Sequence, residues 1–332
     1  MSDIALVTGA TGFIGNHVAR YLAERGMSLR LLVRPSSDRT RLAGIDAEVV
    51  EGSVCDPTAM RRAAQGCKVI YHVAADYRLW VRNPDELYAT NVDGTRNVLE
   101  AARIAGVQRL VHTSSVGTIA PDPEGAPVTE RSASSLEAMT GHYKRSKYLA
   151  EQEAVRYARA GLPVTIVCPT APVGERDFRP TPTGRIILDF LQGKMPAFVD
   201  TGLNLVDVRD VARGHWLAAT AGRVGERYLL GAENLPLKAI LEACAEVSGL
   251  PAPRIRLPYP AAWLAGAFSA GIAALRGTAP SIPMEGVRMA RRPMYADCDK
   301  ARREIGFSPG PVRPALERAV AWFRDWPDLP DY

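Results

Sequence analysis

The first half of this 332-residue chain predicts an α/β fold built on a doubly wound parallel sheet. Short runs of β-branched and aliphatic residues alternate there with helix-length amphipathic segments, as in consecutive β–α–β units. The short runs are almost wholly apolar, as expected for strands that are covered by helices on both faces. A glycine-rich loop directly follows the first run, at the edge where parallel sheets of this class bind their ligands.

Six strands and four helices are predicted before residue 170. The strands are Ile4–Thr8, Leu29–Val33, Ala47–Glu51, Lys68–Val73, Arg109–Thr113 and Val164–Val167. The helices are His17–Arg25, Pro57–Gln65, Pro84–Ala105 and Tyr143–Arg159. The second helix has the start signal of an acidic N-cap, Asp56, followed by proline at the first helical position.

The second half of the chain differs in composition and in hydrophobic periodicity. Proline and glycine become frequent after Pro169, and a regular period returns only at 186–191. We therefore expect a nucleotide-binding domain over 1–170 plus about 205–232, and a smaller substrate-binding region over about 171–204 plus 233–332. Leu205–Ala219 predicts a strand followed by a helix, and we expect both to return to the main sheet.

Composition excludes several classes of protein. The chain has 41 Lys and Arg residues against 36 Asp and Glu residues, for a formal net charge of +5. The basic residues are dispersed and form no arginine-rich arm, which argues against a nucleic-acid partner. The five cysteines are far apart and form no Cys/His cluster, so neither a disulfide framework nor a metal site is expected. A strand predicted from Ile4 leaves no room for a signal peptide, so the cytoplasm is the expected location.

One apolar segment, Ala261–Leu275, raises the question of whether the protein also contacts a membrane. It contains no charged residue, and at 15 residues it is too short to cross a bilayer. Two alternatives stay open. The segment is either a buried helix of the C-terminal region, or a lip that touches a membrane or admits an apolar substrate, which would make the protein membrane-peripheral.

The glycine-rich loop predicts a dinucleotide site. Three glycines stand in a G-x-x-G-x-x-G spacing, which differs from the standard G-x-G-x-x-G fingerprint. The physical basis is the same, because glycines let backbone N–H groups approach a pyrophosphate at a helix N-terminus. We expect the cofactor to contact the loop through Gly9, Thr11, Gly12, Phe13, Ile14 and Gly15.

The end of the second strand predicts which dinucleotide binds. An NAD site would have an acidic residue there for the ribose hydroxyls. This chain has Arg34, followed by Ser36 and Ser37, and a guanidinium with hydroxyls suits a 2′-phosphate. The sequence therefore predicts NADP(H) in preference to NAD(H), with Asp38 as the neighbour that opposes the preference.

Tyr143 and Lys147 form the candidate catalytic pair. Their separation of four residues places both on one face of the predicted helix. The ammonium charge favours tyrosinate, so we expect Lys147 to lower the pKa of the phenol and make it a proton carrier. Two further candidates, Ser114 and Ser115, lie at the end of the fifth predicted strand.

These motifs resemble the extended short-chain dehydrogenase/reductase family over nearly the whole chain. The matching strings are T-G-A-T-G-F-I-G at 8–15, N-V-D-G-T-R-N-V at 91–98, T-S-S at 113–115, Y-K-R-S-K at 143–147 and D-K-A-R-R-E-I-G-F at 299–307. Within the family the chain is similar to the dihydroflavonol-reductase-like branch and most similar to hopanoid-associated sugar epimerases. The strings that carry this finer likeness are V-A-A-D-Y-R-L-W at 73–80, G-H-Y-K-R-S-K at 141–147 and T-P-T-G-R-I-I at 181–187.

The resemblance implies a role for each catalytic candidate. Tyr143 is the general acid/base, and Lys147 also binds the nicotinamide ribose. Ser115 rather than Ser114 hydrogen-bonds the reacting oxygen, since neighbouring strand residues face opposite ways. Further cofactor contacts are implied at Asp56, which would meet the adenine, and at Ala74, Ala75, Asn91, Thr113 and Pro169. A homodimer formed through the helices at 84–105 and 143–159 is implied as well.

The predicted reaction is hydride transfer between nicotinamide and a carbonyl or alcohol carbon, with Tyr143 moving the proton. We favour a reductase of a bulky, partly apolar or sugar-bearing substrate, with a link to hopanoid biosynthesis taken from the resemblance. Leu203 and Asn204 stand where nucleotide-sugar epimerases of the family usually have Arg-Asp, which weakens diphosphate binding unless Arg176, Arg179 or Arg185 substitutes.

Two alternatives to a reductase stay open. One is an epimerase of a nucleotide sugar or a hopanoid-linked sugar, with a bound cofactor that is recycled. The other is a non-catalytic cofactor-sensing protein, and the complete set of Ser115, Tyr143 and Lys147 argues against it.

Overall fold

The computed structural model describes residues 3–276, 278, 280 and 282–325. Strands within these residues form three sheets. They are β1 (Ile4–Thr8), β2 (Ser28–Val33), β3 (Glu48–Glu51), β4 (Cys67–His72), β5 (Arg109–Thr113), β6 (Val164–Pro169), β7 (Ala171–Val173), β8 (Ala197–Val199), β9 (Gly202–Asp207), β10 (Arg227–Leu230), β11 (Glu233–Pro236) and β12 (Ile255–Leu257).

Helices cover these sheets. They are α1 (Phe13–Glu24), α2 (Pro57–Ala64), α3 (Pro84–Tyr88), α4 (Gly94–Ala105), α5 (Gly141–Arg159), α6 (Pro182–Leu191), α7 (Val208–Ala221), α8 (Leu237–Ser248), α9 (Tyr259–Arg276), α10 (Met284–Met289), α11 (Asp299–Ile305) and α12 (Arg313–Arg324). A π-helical turn over Ala89–Asp93 joins α3 to α4.

The main sheet confirms the predicted doubly wound fold. Its seven strands run in the order β3-β2-β1-β4-β5-β6-β10, and every neighbouring pair is parallel. Successive residues of β1 pack on opposite faces, with Leu6 in one apolar core and Ala5 and Val7 in the other. The strand order reverses between β1 and β4, so a ligand crevice is expected at their carboxyl ends.

The expected return of Leu205–Ala219 to the main sheet is wrong for the strand. β9 pairs with β7 and β11 in a separate three-stranded sheet, and only α7 returns, to pack on α1. The seventh strand of the main sheet is β10 instead, whose Tyr228, Leu229 and Leu230 are fully buried. β9 contains Asn204, whose buried amide donates to the side chain of Asn234 on the neighbouring strand β11 at 2.8 Å.

Two predicted helices differ from the observed ones. α1 begins at Phe13 rather than His17, because Gly12 is its N-cap. The predicted continuous helix over 84–105 contains the π-helical turn, in which Asn91 is buried. Such turns interrupt the regular helical ladder and often occur at functional sites.

α9 corresponds to the apolar segment and has one exposed face. Leu264 is 64% exposed, Phe268 73% and Leu275 90%, so the alternative of a buried helix is wrong. The opposite face packs on α10, where a Cβ added at Gly266 would lie 2.8 Å from the sulfur of Met284. Among the residues that the structure describes, no helix has both the length and the apolar character needed to span a bilayer.

Candidate active site

Two close backbone contacts shape the loop between β1 and α1. Gly9 has a φ of +78°, and a Cβ there would lie 2.7 Å from the backbone nitrogen of Ala74. A Cβ on Gly15 would lie 2.2 Å from the carbonyl oxygen of Gly9. Gly12 caps α1 without any side-chain hydrogen bond, so no cap side chain covers the first N–H groups of the helix. The loop fits the pyrophosphate of a dinucleotide.

The segment after β2 supplies a cation beside this loop. Arg34 is exposed, and it has no ion-pair partner within the described part of the chain. Ser37 lies next to the glycine loop, with its Oγ 3.5 Å from Oγ1 of Thr11. The carboxylate of Asp38 accepts hydrogen bonds from Thr40, which lower its pKa, and it lies 3.5 Å from Arg41. The negative charge of Asp38 is therefore paired with Arg41 and Thr40, and the guanidinium of Arg34 stays available to a cofactor.

Two side chains hold the loop after β4 in place, that of Thr8 at the end of β1 and that of Asn91 in the π-helical turn. Oγ1 of Thr8 accepts hydrogen bonds from the backbone nitrogens of Val73 and Ala74, each at 3.1 Å. Oδ1 of Asn91 accepts from the backbone nitrogen of Asp76 at 2.7 Å, and its Nδ2 donates to Oγ of Ser146 at 2.9 Å. Asn91 thus ties this loop to α5, while its direct contact with the cofactor stays a prediction.

The two serines after β5 have different partners on α5. Oγ of Ser114 donates to the buried carboxylate of Glu151 at 2.5 Å. Oγ of Ser115 accepts from the backbone nitrogen of Gly117 at 3.0 Å and takes part in a hydrogen bond with the side chain of Tyr143. The structure therefore brings Ser115 and Tyr143 together and leaves Ser114 in a supporting position.

Lys147 and Tyr143 lie on the same face of α5, but their electrostatics differ from the expectation. Nζ of Lys147 is buried and donates to the carbonyl oxygen of Thr113 at 2.7 Å, and burial lowers its pKa to about 8. Burial raises the pKa of Tyr143, the hydrogen bond with Ser115 opposes this, and the negative charges of Glu285 and Asp76 add to it. The expected lowering of the Tyr143 pKa is wrong in this structure, because desolvation outweighs the interactions that favour tyrosinate.

Comparison with known proteins gives the family. Residues 5–231 match the NAD dependent epimerase/dehydratase family. The chain belongs to that family. A protein of Synechocystis sp. provisionally named dihydroflavonol 4-reductase is 44% identical, over 98% of this chain and 96% of the relative. Sterol demethylase protein B of Methylococcus capsulatus is 38% identical, over 96% of this chain and 98% of the relative.

One solved structure matches this chain over nearly its whole length. The crystal structure of gox2253 has a TM-score of 0.87 and 45% identity, and the match covers 97% of this chain and 98% of that one. The protein is thus an extended short-chain dehydrogenase/reductase that uses a nicotinamide cofactor, with oxidoreductase or epimerase activity. The predicted family, fold and enzymatic nature are confirmed.

The remaining expected cofactor contacts of this epimerase/dehydratase-family enzyme are placed as follows. Oδ1 of Asp56 caps α2 by accepting from the backbone nitrogens of Thr58 and Ala59 at 2.8 and 3.2 Å. Ala75 is half-buried in the loop after β4, and buried Pro169 ends β6. The cap at Asp56 is confirmed, and the cofactor contacts of these residues stay predictions.

A cavity of about 350 Å³ lies between the loop after β4 and the α9–α10 pair of the family enzyme. Its described lining is mostly apolar and consists of Leu79, Trp80, Arg82, Ala270, Ala273, Thr278, Pro280, Pro283, Met284 and Glu285. Sequence reasoning missed Glu285. The available signal was Gly141 at the start of α5, which indicates a close approach without naming the residue that approaches.

Proposed function

We propose that this enzyme is an NADP(H)-dependent oxidoreductase that interconverts a ketone and an alcohol on a bulky, mainly apolar substrate. The observation that carries the proposal is the apolar cavity. Its lining includes Glu285, whose charge raises the pKa of Tyr143 and so connects the cavity with the candidate proton donor. Two relatives' names support it: sterol demethylase protein B, and a farnesyl-dihydroquinoline-oxide ketoreductase of Stigmatella aurantiaca that is 30% identical over 91% of each chain. Through the resemblance to hopanoid-associated proteins, a hopanoid or its sugar-bearing derivative is one candidate substrate.

The side chains around Tyr143 support proton transfer to a carbonyl oxygen. When bound, the nicotinamide supplies or accepts the hydride. Tyr143 donates its phenol proton to the oxygen during reduction, and its raised pKa keeps that proton in place at neutral pH. Ser115 stabilises the negative charge that develops on the same oxygen by hydrogen bonding. The ammonium of Lys147, held on the carbonyl of Thr113, provides the positive charge nearby.

The environment of β9 argues against a nucleotide-sugar epimerase. Asn204 is buried and hydrogen-bonded to Asn234, and Leu203 packs against an apolar core outside the main sheet. Neither position offers a cation to a sugar diphosphate. An epimerase stays the second candidate, because PA4631, a nucleoside-diphosphate-sugar epimerase from Pseudomonas aeruginosa, has 31% identity and a TM-score of 0.80 over 97% of this chain and 98% of that one.

NADPH oxidation with a panel of steroid ketones and open-chain sugars tests the function. We expect stoichiometric consumption with at least one ketone, and a loss of about 100-fold or more in Tyr143→Phe with NADPH affinity unchanged. Tyr157→Phe, near the other end of the same helix, is the matched control and should keep full activity, because its hydroxyl contacts Glu100 and not the crevice. An active Tyr143→Phe enzyme contradicts the catalytic assignment. Tightly retained cofactor without net consumption favours the epimerase.

We also propose that Arg34 selects NADP(H). Its exposed guanidinium, unpaired among the described residues, lies after β2 where a 2′-phosphate would be bound. Arg34→Ala should reduce the ratio of NADPH to NADH affinity by roughly 10- to 100-fold, because a charge-assisted hydrogen bond is lost. Arg159→Ala, which removes an exposed arginine at the end of α5, is the control. Equal affinity of the wild-type enzyme for both cofactors would contradict the preference.

A membrane-peripheral location follows from α9 as a proposal. Its exposed apolar side chains Leu264, Phe268 and Leu275 are accompanied by the exposed Arg276, which lacks an ion pair in the described residues. Apolar side chains beside basic ones suit an anionic lipid surface. Co-sedimentation with phosphatidylglycerol vesicles should be lost in Phe268→Glu, whereas phosphatidylcholine vesicles should bind weakly. Otherwise the enzyme is expected in the cytoplasm.

The family resemblance also leads us to propose a homodimer formed through α4 and α5. Tyr148 and Leu149 are half-exposed on α5, and Ile104 is exposed at the end of α4. Light scattering of the purified enzyme should give twice the chain mass of 36.0 kDa. Leu149→Arg should shift it towards the monomer if the proposed face is correct.

A further inference from the structure

Glu285 is a buried carboxyl group that the reaction outlined above does not use. It belongs to α10, it is 9% exposed, and its Oε1 has no hydrogen-bond partner in the described structure. Gly141 makes room for it: this glycine has a φ of +79°, and a Cβ there would lie 2.0–2.3 Å from the carboxyl atoms. The carboxyl group of Glu285 therefore occupies the space that a side chain at position 141 would fill. Position 141 comes two residues before Tyr143 in the chain.

Two other buried carboxyl groups of the enzyme, those of Glu151 and Glu130, are engaged by the protein. Glu151 accepts from Ser114 and Thr118 and forms an ion pair with Arg227 at 3.0 Å. Glu130 accepts from the backbone nitrogen of Leu229 at 2.8 Å. A buried carboxyl oxygen without a partner is destabilising. Asp177 also has one, but its other oxygen accepts from Thr181 and it is not part of the described cavity lining. Glu285 lies in the wall of the cavity, where a ligand can supply the missing hydrogen-bond donor.

Glu285 is also placed to meet a ligand. It forms part of the wall of the apolar cavity, opposite the loop that contains Trp80. It is close enough to the reacting centre for its charge to raise the pKa of Tyr143. Its own pKa is raised to about 7 by burial, although Lys144 and Arg288 oppose this. A group bound by Glu285 would therefore lie in the cavity, within the electrostatic range of Tyr143.

We propose that Glu285 is a substrate-recognising residue that hydrogen-bonds a hydroxyl group near the reacting carbonyl of a neutral, polycyclic apolar substrate. The inference rests on the proposed oxidoreductase function. A hydroxyl group suits the site because it donates to a carboxylate and accepts from a carboxylic acid, so it pairs with Glu285 in either state. A carboxylate at the same place would be repelled by the ionised form.

The inference is tested by steroid binding, measured by tryptophan fluorescence without turnover. Trp80 lines the cavity, and Trp80→Phe identifies its part of the signal. The probes are androstanone, a saturated steroid ketone, and its monohydroxy derivatives with the hydroxyl on either carbon beside the carbonyl. We expect the wild-type enzyme to bind one hydroxy isomer at least about tenfold more tightly than androstanone.

Three variants separate recognition from folding. Glu285→Leu should abolish the preference for the hydroxy isomer, and Glu285→Gln should keep most of it, because an amide can still pair with a hydroxyl. Glu124→Gln, a change at an exposed loop residue, should behave as wild type. NADPH affinity and circular dichroism of each variant report on folding. A hydroxyl preference that survives in Glu285→Leu, or no preference or no steroid binding in the wild-type enzyme, overturns the inference.

The two proposals fail in different ways. Steroids that bind with the predicted preference but are never reduced contradict the oxidoreductase function and leave the binding role of Glu285 intact. Steroid ketones that are reduced without regard to the hydroxyl group support the oxidoreductase and overturn the role of Glu285.

Discussion

At the scale of single residues, the two neighbouring serines at the end of β5 interact with different side chains. Ser115 faces Tyr143, whereas Ser114 donates to the buried carboxylate of Glu151. Both partners lie on α5, eight residues apart, so the two serines contact different turns of the same helix. In the proposed mechanism Ser115 acts on the substrate and Ser114 supports the fold.

Alanine substitutions should separate these two roles. Ser115→Ala should lower kcat by roughly 100- to 1000-fold, because a donor to the developing charge is removed. Ser114→Ala should leave kcat nearly unchanged but lower the free energy of unfolding by about 1–3 kcal/mol, since Glu151 loses a buried donor. Steady-state kinetics and urea unfolding measure both effects. A Ser114→Ala enzyme with the larger loss of kcat would reverse the assignment.

Asp177 should make stability depend on pH. Its Oδ2 accepts from Thr181, its Oδ1 is buried without a partner in the described residues, and burial raises its pKa from 3.8 to about 7. The folded state binds this proton more tightly than the unfolded state, so stability falls as pH rises from about 4 to about 7.

Asp177→Asn removes this dependence. The variant should lose less stability over that pH range than the wild-type enzyme, by on the order of a few kcal/mol. Urea unfolding at a series of pH values measures the difference. Asp46→Asn, a change at an exposed position, is the control. Parallel curves for Asp177→Asn and wild type would show that the carboxyl is not held protonated.

At the scale of elements, the junction of β1 and α1 depends on close backbone packing. Gly15 lies in the first turn of α1 against the carbonyl of Gly9, so the helix N-terminus and the loop are held as one unit. The π-helical turn has a comparable role, because it lets Asn91 bond the loop after β4 and Ser146 together. The cofactor crevice is shaped by contacts between elements rather than by any one of them.

Gly15→Ala should weaken NADPH binding at least about tenfold, because its Cβ would overlap the Gly9 carbonyl and displace α1. Gly271→Ala is the matched control, since no atom lies within 4 Å of the added Cβ and alanine favours a helix. The control should bind NADPH normally and be up to about 1 kcal/mol more stable. Fluorescence titration measures both, and wild-type affinity in Gly15→Ala would refute the packing argument.

At the scale of the whole molecule, the C-terminal region is bound to the main sheet by buried and half-buried contacts. Phe307, which follows α11, is fully buried in a core of the main sheet. Arg318 of α12 forms ion pairs with Glu175 at 2.8 Å and Asp207 at 2.5 Å. Phe307 thus joins the C-terminal region to the main sheet, and Arg318 joins α12 to residues at the ends of β7 and β9.

We therefore expect one cooperative unfolding transition, coincident by circular dichroism and tryptophan fluorescence and raised by NADPH. Arg318→Ala should destabilise the whole enzyme by about 1–3 kcal/mol, because two half-buried carboxylates each lose one of their partners. Arg313→Ala, at an exposed position of the same helix, should cost less than about 1 kcal/mol. Two separate transitions would indicate that the two parts unfold independently.

The sequence by itself determined the features that depend on local pattern. Strand and helix alternation, the glycine loop, the cap at Asp56 and the shared face of Tyr143 and Lys147 all follow from short-range periodicity and backbone preference. The preference for Ser115 over Ser114 rests on the same kind of short-range argument and stays a prediction. Each of these arguments needs only residues that are close together in the chain.

Only the tertiary structure decided the features that depend on what covers a residue. It placed β10 rather than β9 in the main sheet, left one face of α9 exposed and raised the pKa of Tyr143. It also brought Glu285 into the space left by Gly141. Burial and desolvation arise from contacts between distant parts of the chain, and no local pattern encodes which parts will meet.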